Sequence, residues 1–432
     1  MMDDQAERAR ATSGGRRSPE NYRGTSRSGR PRVPTCGFSQ NRRLDMSSSG
    51  RKIHVWCPGL HEQGGGIEAY TLALMKAAIE WAGVAITVCA KNEGRTALTL
   101  LSQMGCGRLV TGDIPISFRT AAFTACLVAS AMIERPDLII ATHLNFSPVA
   151  AWLKRSLNIP YWISLHGVEV WNLRRTDRQR ALCGADRLLP VSEFTRDNVM
   201  NGQSIPSDKF RVLHNTVDAA RFCVEERPLY LAQRYHFAPN DTVILTVGRL
   251  AASEAYKGQD RIIRVLPVIR QRVPRVKYLV VGDGDDRPRL EALATSAGVA
   301  DAVLFAGRVP ETELADHYRI CDLFAMPSTG EGFGIVYLEA MACGKPVLGG
   351  NKDAGVDALR GGELGALVDP HDRQTLAGTI IAILVRAYRH PLMFQPDSLR
   401  AKVIEYFGLQ KFNATVASYF DEFFDHRNTK AS

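Results

Sequence analysis

Two glutamates eight positions apart, Glu331 and Glu339, stand in the stretch MPSTGEGFGIVYLEAMACGKPVLGG from Met326 to Gly350. Glu331 lies in a loop with glycines at 330, 332 and 334, and Glu339 lies inside the short apolar helix that this loop opens. Cys343-Gly344 ends the helix, and a strand started by Pro346 follows. A loop that opens a helix offers free backbone N–H groups and the positive end of the helix dipole, a setting for an oxygen-rich anion. Glycines let that backbone approach a ligand closely, and the two carboxylates can accept bonds from hydroxyl groups. The combination suits a nucleotide that carries a sugar. The same pattern also arises as an ordinary turn with capping or solvated glutamates, so spacing by itself leaves both readings open.

Other residues fall at places where a strand gives way to a helix. Gly64-Gly65-Gly66 follows the first apolar strand and opens the helix near Ile67, a geometry that fits a phosphate. It is not a G-x-G-x-x-G turn, and no acidic residue ends the second strand, which argues against a dinucleotide site. Arg249, in Val247-Gly248-Arg249-Leu250, and Lys257, in Tyr256-Lys257-Gly258, are two cations able to neutralise a diphosphate. Either alone reads better as an ordinary surface charge. Val281-Gly282-Asp283-Gly284 and Gly307-Arg308-Val309 are further strand-to-helix turns. His166-Gly167 follows the run Tyr161–Leu165, a place where a single histidine is more often structural than reactive.

These residues need a scaffold that gathers strand ends. From Lys52 onward short apolar strands alternate with helices, the strands expected at Ile53–Cys57, Ala85–Ala90, Leu138–Thr142, Tyr161–Leu165, Arg187–Val191 and Phe210–Leu213. After a looser stretch the alternation restarts at Val243–Val247, Tyr278–Val281, Val303–Phe305, Leu323–Met326 and Val347–Leu348. Such alternation predicts an α/β fold with parallel sheets covered on both faces. Two doubly wound domains, 51–220 and 241–390, are expected on either side of a linker at 221–240. Ligands of such sheets bind beyond the carboxyl ends of the strands, which makes the cleft between the domains the expected site. A helical segment and tail at 391–432 complete the chain.

Composition bounds the rest. The 432 residues are 45% hydrophobic and 23% charged, as in globular proteins. The most apolar helix-like stretch, Thr120 to Ile133, is shorter than a bilayer span and is expected to be a core or interfacial helix. No apolar core of a signal peptide is seen at the start, so the cytoplasmic side is expected. Nine cysteines show no C-x-x-C pair, and no structural metal site is expected. Of the net charge of +9, residues 1–50 supply ten arginines against five acidic residues. That segment, rich in Ser, Gly, Arg and Pro, is expected to be disordered, and Met46 is a candidate alternative start. The basic balance points to contact with an anionic membrane and not to nucleic acid, for which no motif is present.

The string from Met326 to Gly350 resembles the signature of the retaining glycosyltransferases of family 4, Glu-x7-Glu inside PS-x-x-EGFG-x-x-x-LEAMACG-x-PV. The resemblance extends over about residues 52–427 and implies the GT-B architecture, two Rossmann-like domains facing across a cleft with the last helix crossing back to the first. It implies that Gly65 and Gly66 lie near the donor diphosphate, that Arg249 and Lys257 bind the phosphates, and that Arg308 and Val309 sit beside the nucleobase. Glu331 and the amides of Phe333, Gly334 and Ile335 would hold the transferred sugar, Glu339 the ribose hydroxyls, and His166 would face the sugar. Ser192 and Asn215 match family positions that shape the cleft. The loop from Ala251 to Tyr256 is longer than the family's commonest form, which puts the placing of Lys257 in doubt.

The implied reaction is metal-independent, cofactor-free transfer of a hexose with retention, the leaving phosphate helping to deprotonate the acceptor. Gly349–Leu359 looks like the version found in bacterial exopolysaccharide and lipid-linked oligosaccharide assembly enzymes, for which a mannose from GDP-mannose and a saccharide or polyprenyl-pyrophosphate-linked acceptor are expected. The acceptor pocket is expected from loops 92–105 and 171–180, the latter basic through Arg174, Arg175, Arg178 and Arg180, which suits a lipid phosphate and equally a solvated helix face. A sugar-nucleotide epimerase or phosphorylase on the same scaffold, and a non-catalytic nucleotide-sugar-binding protein, remain as alternatives.

Overall fold

A computed structural model describes residues 50–60, 65–81, 84–94, 96–171, 173 and 176–431. The expected disordered extension and the start at Met46 lie outside the described residues, as do Gly64, Arg174 and Arg175.

The first sheet is built from β1 (Arg51–Cys57), β2 (Val84–Ala90), β3 (Gly107–Val110), β4 (Leu138–Ala141), β5 (Tyr161–Leu165) and β6 (Arg187–Pro190). Its helices are α1 (Gly66–Glu80), α2 (Thr96–Gln103), α3 (Ile116–Glu134), α4 (Ser147–Leu157), α5 (Val168–Trp171), α6 (Thr176–Gly184) and α7 (Glu193–Gln203). After α8 (Leu229–Arg234), the second sheet holds β7 (Thr242–Val247), β8 (Val276–Val281), β9 (Val303–Gly307), β10 (Leu323–Met326), β11 (Val347–Gly350) and β12 (Ala366–Val368). Between and after these strands lie α9 (Gln259–Arg272), α10 (Arg287–Ser296), α11 (Leu314–Ile320), α12 (Ile335–Ala342), α13 (Gly355–Ala358) and α14 (Arg373–Leu384). The chain ends in α15 (Pro396–Phe407) and α16 (Leu409–Ala431).

The two sheets run in the orders β3-β2-β1-β4-β5-β6 and β12-β11-β10-β7-β8-β9. Every neighbouring pair is parallel. The strand order reverses direction beside β1 in the first sheet and beside β7 in the second, and each reversal opens a crevice at the carboxyl ends of the strands. Runs such as Ile53–Cys57 and Val243–Val247 are buried at every position, because helices cover both faces of a parallel sheet.

Three features differ from the sequence expectation. Phe210–Leu213 is not a strand: Phe210 makes one isolated bridge to Leu188, and only Arg211 N and Leu213 N donate to the edge of β6. β3 and β12 are not among the expected strands: β3 offers only Leu109 and Val110 as apolar residues and β12 has only three positions. α3 has nineteen residues and extends the expected Thr120–Ile133 at both ends. Its inner stripe, Phe123, Leu127, Ser130 and Ala131, covers the sheet while much of the rest is exposed, so it is not a core helix.

α15 and α16 are separated at Gly408, where Val217 forms a parallel bridge and Thr216 Oγ1 donates to the Phe407 carbonyl at 2.7 Å. From there α16 packs on the first domain. Phe420 and Phe424 meet Trp81 with ring centroids 5.1 and 5.5 Å away, and Phe420 and Phe423 meet Trp162 at 5.4 and 5.2 Å. Glu422 pairs with both Arg187 and Arg211.

Candidate functional site

The Gly-rich loop is fixed from beneath by a carboxylate that sequence reasoning missed. Asp353, after β11, is fully buried and accepts from Ser328 Oγ at 2.6 Å, the Glu331 N–H at 2.7 Å and the Gly355 N–H at 2.9 Å. Burial raises its pKa against the pull of these donors. The Tyr337 hydroxyl donates to the Met326 carbonyl at 2.6 Å and ties α12 to the end of β10. Gly334 caps α12 in the left-handed region, φ 86°, where a side chain would also strike the Tyr337 ring.

The same loop is held from the opposite domain. A Cβ at Gly332 would overlap the His166 carbonyl oxygen, and one at Gly167 would lie 2.6 Å from the Gly332 Cα. Ser192 Oγ donates to the Gly332 carbonyl at 2.9 Å, and the Phe194 N–H donates to Asp357 Oδ2 at 2.9 Å. Phe333 turns its ring into the core between His214 and Phe407, each 5.5 Å away. Its N–H, with those of Gly334 and Ile335, finds no backbone acceptor among the described residues, which leaves three donors at the start of a helix. A Cβ on Gly66 would lie 3.9 Å from Ile335 Cγ2, so the amino ends of α1 and α12 face one another. Gly65 is the N-cap of α1.

Lys257 reaches this place: its Nζ lies 3.4 Å from Glu331 Oε2 and 3.5 Å from Glu254 Oε2. Burial works to lower its pKa, but Glu331, Tyr256 and Glu254 outweigh that and leave it raised, so the lysine is a cation. Arg249 pairs with the same Glu254 and keeps its side chain 73% exposed, open to a ligand. The long loop that put Lys257 in doubt therefore supplies Glu254, which links the two cations. Glu339 accepts from the buried Tyr318 hydroxyl at 2.6 Å. Burial pushes the Glu339 carboxyl up to about 7 despite that bond, with Arg221 and Glu311 pulling in opposite directions.

His166 Nε2 lies 2.8 Å from the Thr142 carbonyl, so Nε2 carries the proton and donates. Burial lowers the ring's pKa to about 4, which leaves a neutral imidazole with Nδ1 as an acceptor. The structure thus brings together Gly65, Gly66, His166, Lys257, Glu331 and the Phe333–Ile335 amides. Arg308 is exposed and Val309 half-buried at the end of β9, which β7 and β8 separate from β10, and no contact among the described residues joins either to Glu331 or Lys257. Asn215 is buried near the α15–α16 junction. Gly282 and Gly284 let the end of β8 pack on the Gly248 and Leu250 carbonyls, a structural duty. Sequence reasoning singles out neither Asp353 nor Tyr318, because Ser328 and Glu331 for the one and Glu339 for the other lie more than twenty residues away in the chain.

Two family models match the chain: "Glycosyltransferase Family 4" over residues 64–221 and "Glycosyl transferases group 1" over 231–392. The chain is 34% identical over 242 residues to a GDP-mannose-dependent alpha-(1-6)-phosphatidylinositol monomannoside mannosyltransferase of Mycolicibacterium smegmatis, a match over 53% of this chain and 62% of that relative. It therefore spans about six-tenths of the length of that protein. It is 27% identical over 382 residues to a D-inositol 3-phosphate glycosyltransferase of a Mycobacterium species, over 83% of this chain and 81% of that one. In fold it is similar to Anabaena HepE, solved with UDP and glucose, at TM-score 0.69 and 23% identity over 86% of this chain and all of that one. Sucrose-phosphate synthase from Thermosynechococcus elongatus superposes at TM-score 0.70 and 20% identity, over 87% of this chain. These likenesses identify the two-domain architecture as GT-B.

Proposed function

Since the chain belongs to the family 4 glycosyltransferases, we propose that it moves a hexose, mannose from GDP-mannose, to a hydroxyl of a saccharide or lipid-linked acceptor in surface-glycan assembly, with retention of configuration and without a metal. The observation that carries this reading is the position of Lys257 Nζ, 3.4 Å from Glu331 of the Gly-rich loop, whose Phe333, Gly334 and Ile335 N–H groups find no backbone acceptor among the described residues and whose Gly332 packs on the His166 carbonyl. A cation for a leaving phosphate, a carboxylate for sugar hydroxyls and helix amino ends meet there.

In the proposed reaction the bond between the sugar anomeric carbon and the β-phosphate oxygen breaks first. Positive charge then develops on the sugar, and Arg249 and Lys257 stabilise the diphosphate that leaves. Glu331 and the Phe333–Ile335 amides hold the sugar hydroxyls, Glu339 the ribose, and His166 Nδ1 accepts from the sugar. The acceptor oxygen bonds to the same face of the anomeric carbon, and its proton passes to the leaving phosphate. Arg249 and Lys257 supply the positive charge that a metal ion would otherwise provide. The mannose donor is favoured by the name of the relative that is 34% identical.

The test is a donor screen on the full chain with GDP-mannose, UDP-glucose, UDP-galactose and UDP-N-acetylglucosamine, following donor hydrolysis and thermal stabilisation with and without EDTA. Selective stabilisation by GDP-mannose that survives EDTA and is lost in Lys257→Ala is expected. Stabilisation by a UDP-sugar alone would replace the donor, and dependence on a metal would overturn the proposed charge balance.

A further inference from the structure

The outer side of α3 is apolar, uncharged and open. Only 22% of its most apolar 18-residue window is buried. Phe118, Met132 and Ile133 are 68%, 51% and 70% exposed, and Ile116, in line with the inner stripe but at the helix's amino end, is 82% exposed. The two charged residues of the helix turn inward: Arg119 donates to the carbonyls of Ile114 at 3.1 Å and Gly112 at 2.7 Å. Glu134 is held by His54 at 3.0 Å, Thr87 at 2.7 Å and Ser130 at 3.0 Å. On the neighbouring α4, Trp152 is 45% exposed. Single exposed apolar residues need no explanation, but a helix side with several large ones and no charge marks a contact surface.

The charges around this surface select its partner. Arg135, just past α3, and Arg155, on α4, are exposed and have no ion pair among the described residues. The acids nearby are engaged: Glu134 as described, Asp137 by the Lys52 N–H at 2.8 Å, and Asp186 by Lys154 at 2.9 Å. Asp113, at the other end, also has a partner. The exposed arginine side chains at this rim are thus open to an anionic partner. A second copy of the chain would bring the same arginines to one isologous interface, where they repel; an anionic surface attracts them. An apolar helix side with a tryptophan beside it and arginines at its margin has the make-up of a helix lying in the boundary layer of a bilayer. We propose that α3 and Trp152 seat this protein on an anionic lipid surface.

The fold gives the seat a direction. α3 follows β3, so its amino end, with Ile116 and Phe118, lies at the carboxyl edge of the first sheet. His166 and Gly65 lie at that same edge. The bilayer therefore meets the mouth of the cleft on the first-domain side. Resting on the proposed transfer reaction, this selects an acceptor carrying a lipid anchor over a soluble one.

Co-sedimentation of the full chain with vesicles tests the docking without requiring turnover. Binding to phosphatidylcholine mixed with phosphatidylglycerol is expected to be stronger than to phosphatidylcholine alone and to weaken with added salt. Arg135→Gln and Arg155→Gln should each lower affinity about five-fold, and Phe118→Asp combined with Ile133→Asp should abolish binding. All four positions are exposed, and an unchanged urea midpoint shows that the variants fold. No sedimentation with either vesicle, or binding indifferent to the Phe118/Ile133 change, would overturn the proposal. So would a dimer in analytical ultracentrifugation that this double variant dissolves, since it would give the surface to a second copy. Vesicle binding without sugar transfer in any donor would leave the docking intact and refute the transferase.

Discussion

Glu339 shows how one buried carboxyl links ligand, pH and stability. Its pKa of about 7 in the folded protein compares with an ordinary 4.5, so between those values the folded chain keeps a proton that the unfolded chain releases. The native state then binds more protons, and stability falls as pH rises through that window, by on the order of 3 kcal/mol. In urea titrations Glu339→Gln is expected to lose less stability over the same window. With Glu339 in its proposed place at the ribose, donor binding is expected to have the opposite slope, because hydroxyls donate best to the ionised carboxylate. Affinity should therefore rise as pH passes about 7, become flat in Glu339→Gln, and shift its midpoint upward in Tyr318→Phe, which lacks the bond to Glu339 Oε2. Gly332 is constrained by space: Gly332→Ala places a methyl on the His166 carbonyl oxygen. A folded protein with kcat/KM reduced about 100-fold or more is expected, since the two halves of the site must then separate. Activity within a few-fold of wild type would show that this contact is dispensable.

At the scale of elements, strands buried on both faces were readable because their apolar residues are consecutive, as in Ile53–Cys57 and Val243–Val247. Phe210–Leu213 carries similar residues but meets β6 at the sheet's outer edge through a single bridge, a distinction set by tertiary position. Glu331 and Glu339 were legible because they fall in the Glu-x7-Glu signature, while their spacing alone left a capping or solvated role open. Asp353 was not, because its burial depends on donors at 328, 331 and 355 that converge only after β10 and β11 pair. Glu254 likewise gains a role only when its loop brings it between Arg249 and Lys257. Asp353→Ala leaves a hydroxyl and two backbone N–H groups without their acceptor, and a loss of about 3 kcal/mol or more is expected in urea unfolding. Asp353→Asn, which retains one acceptor, should lose less while still raising KM for the donor. Equal losses in both would assign Asp353 to packing alone.

For the whole molecule, the two domains are joined by more than a linker. α16 belongs to the first domain's core although it is encoded last, and Phe420, fully buried between Trp81 and Trp162, is its anchor. Phe420→Ala is expected to cost about 3–5 kcal/mol and to lower the unfolding midpoint of the protein as a whole; a change confined to the fraying end of α16 would mean that the helix is only an appendage. This arrangement also sets a timetable for synthesis. When the strand bearing Trp162 leaves the ribosome, the residues that cover it are still about 260 codons away, a delay of roughly ten to fifty seconds at ordinary elongation rates. Through that interval the first domain presents two uncovered tryptophans, while the second domain has all of its strands before α15 is made. The half that begins the chain is thus the half that finishes folding last.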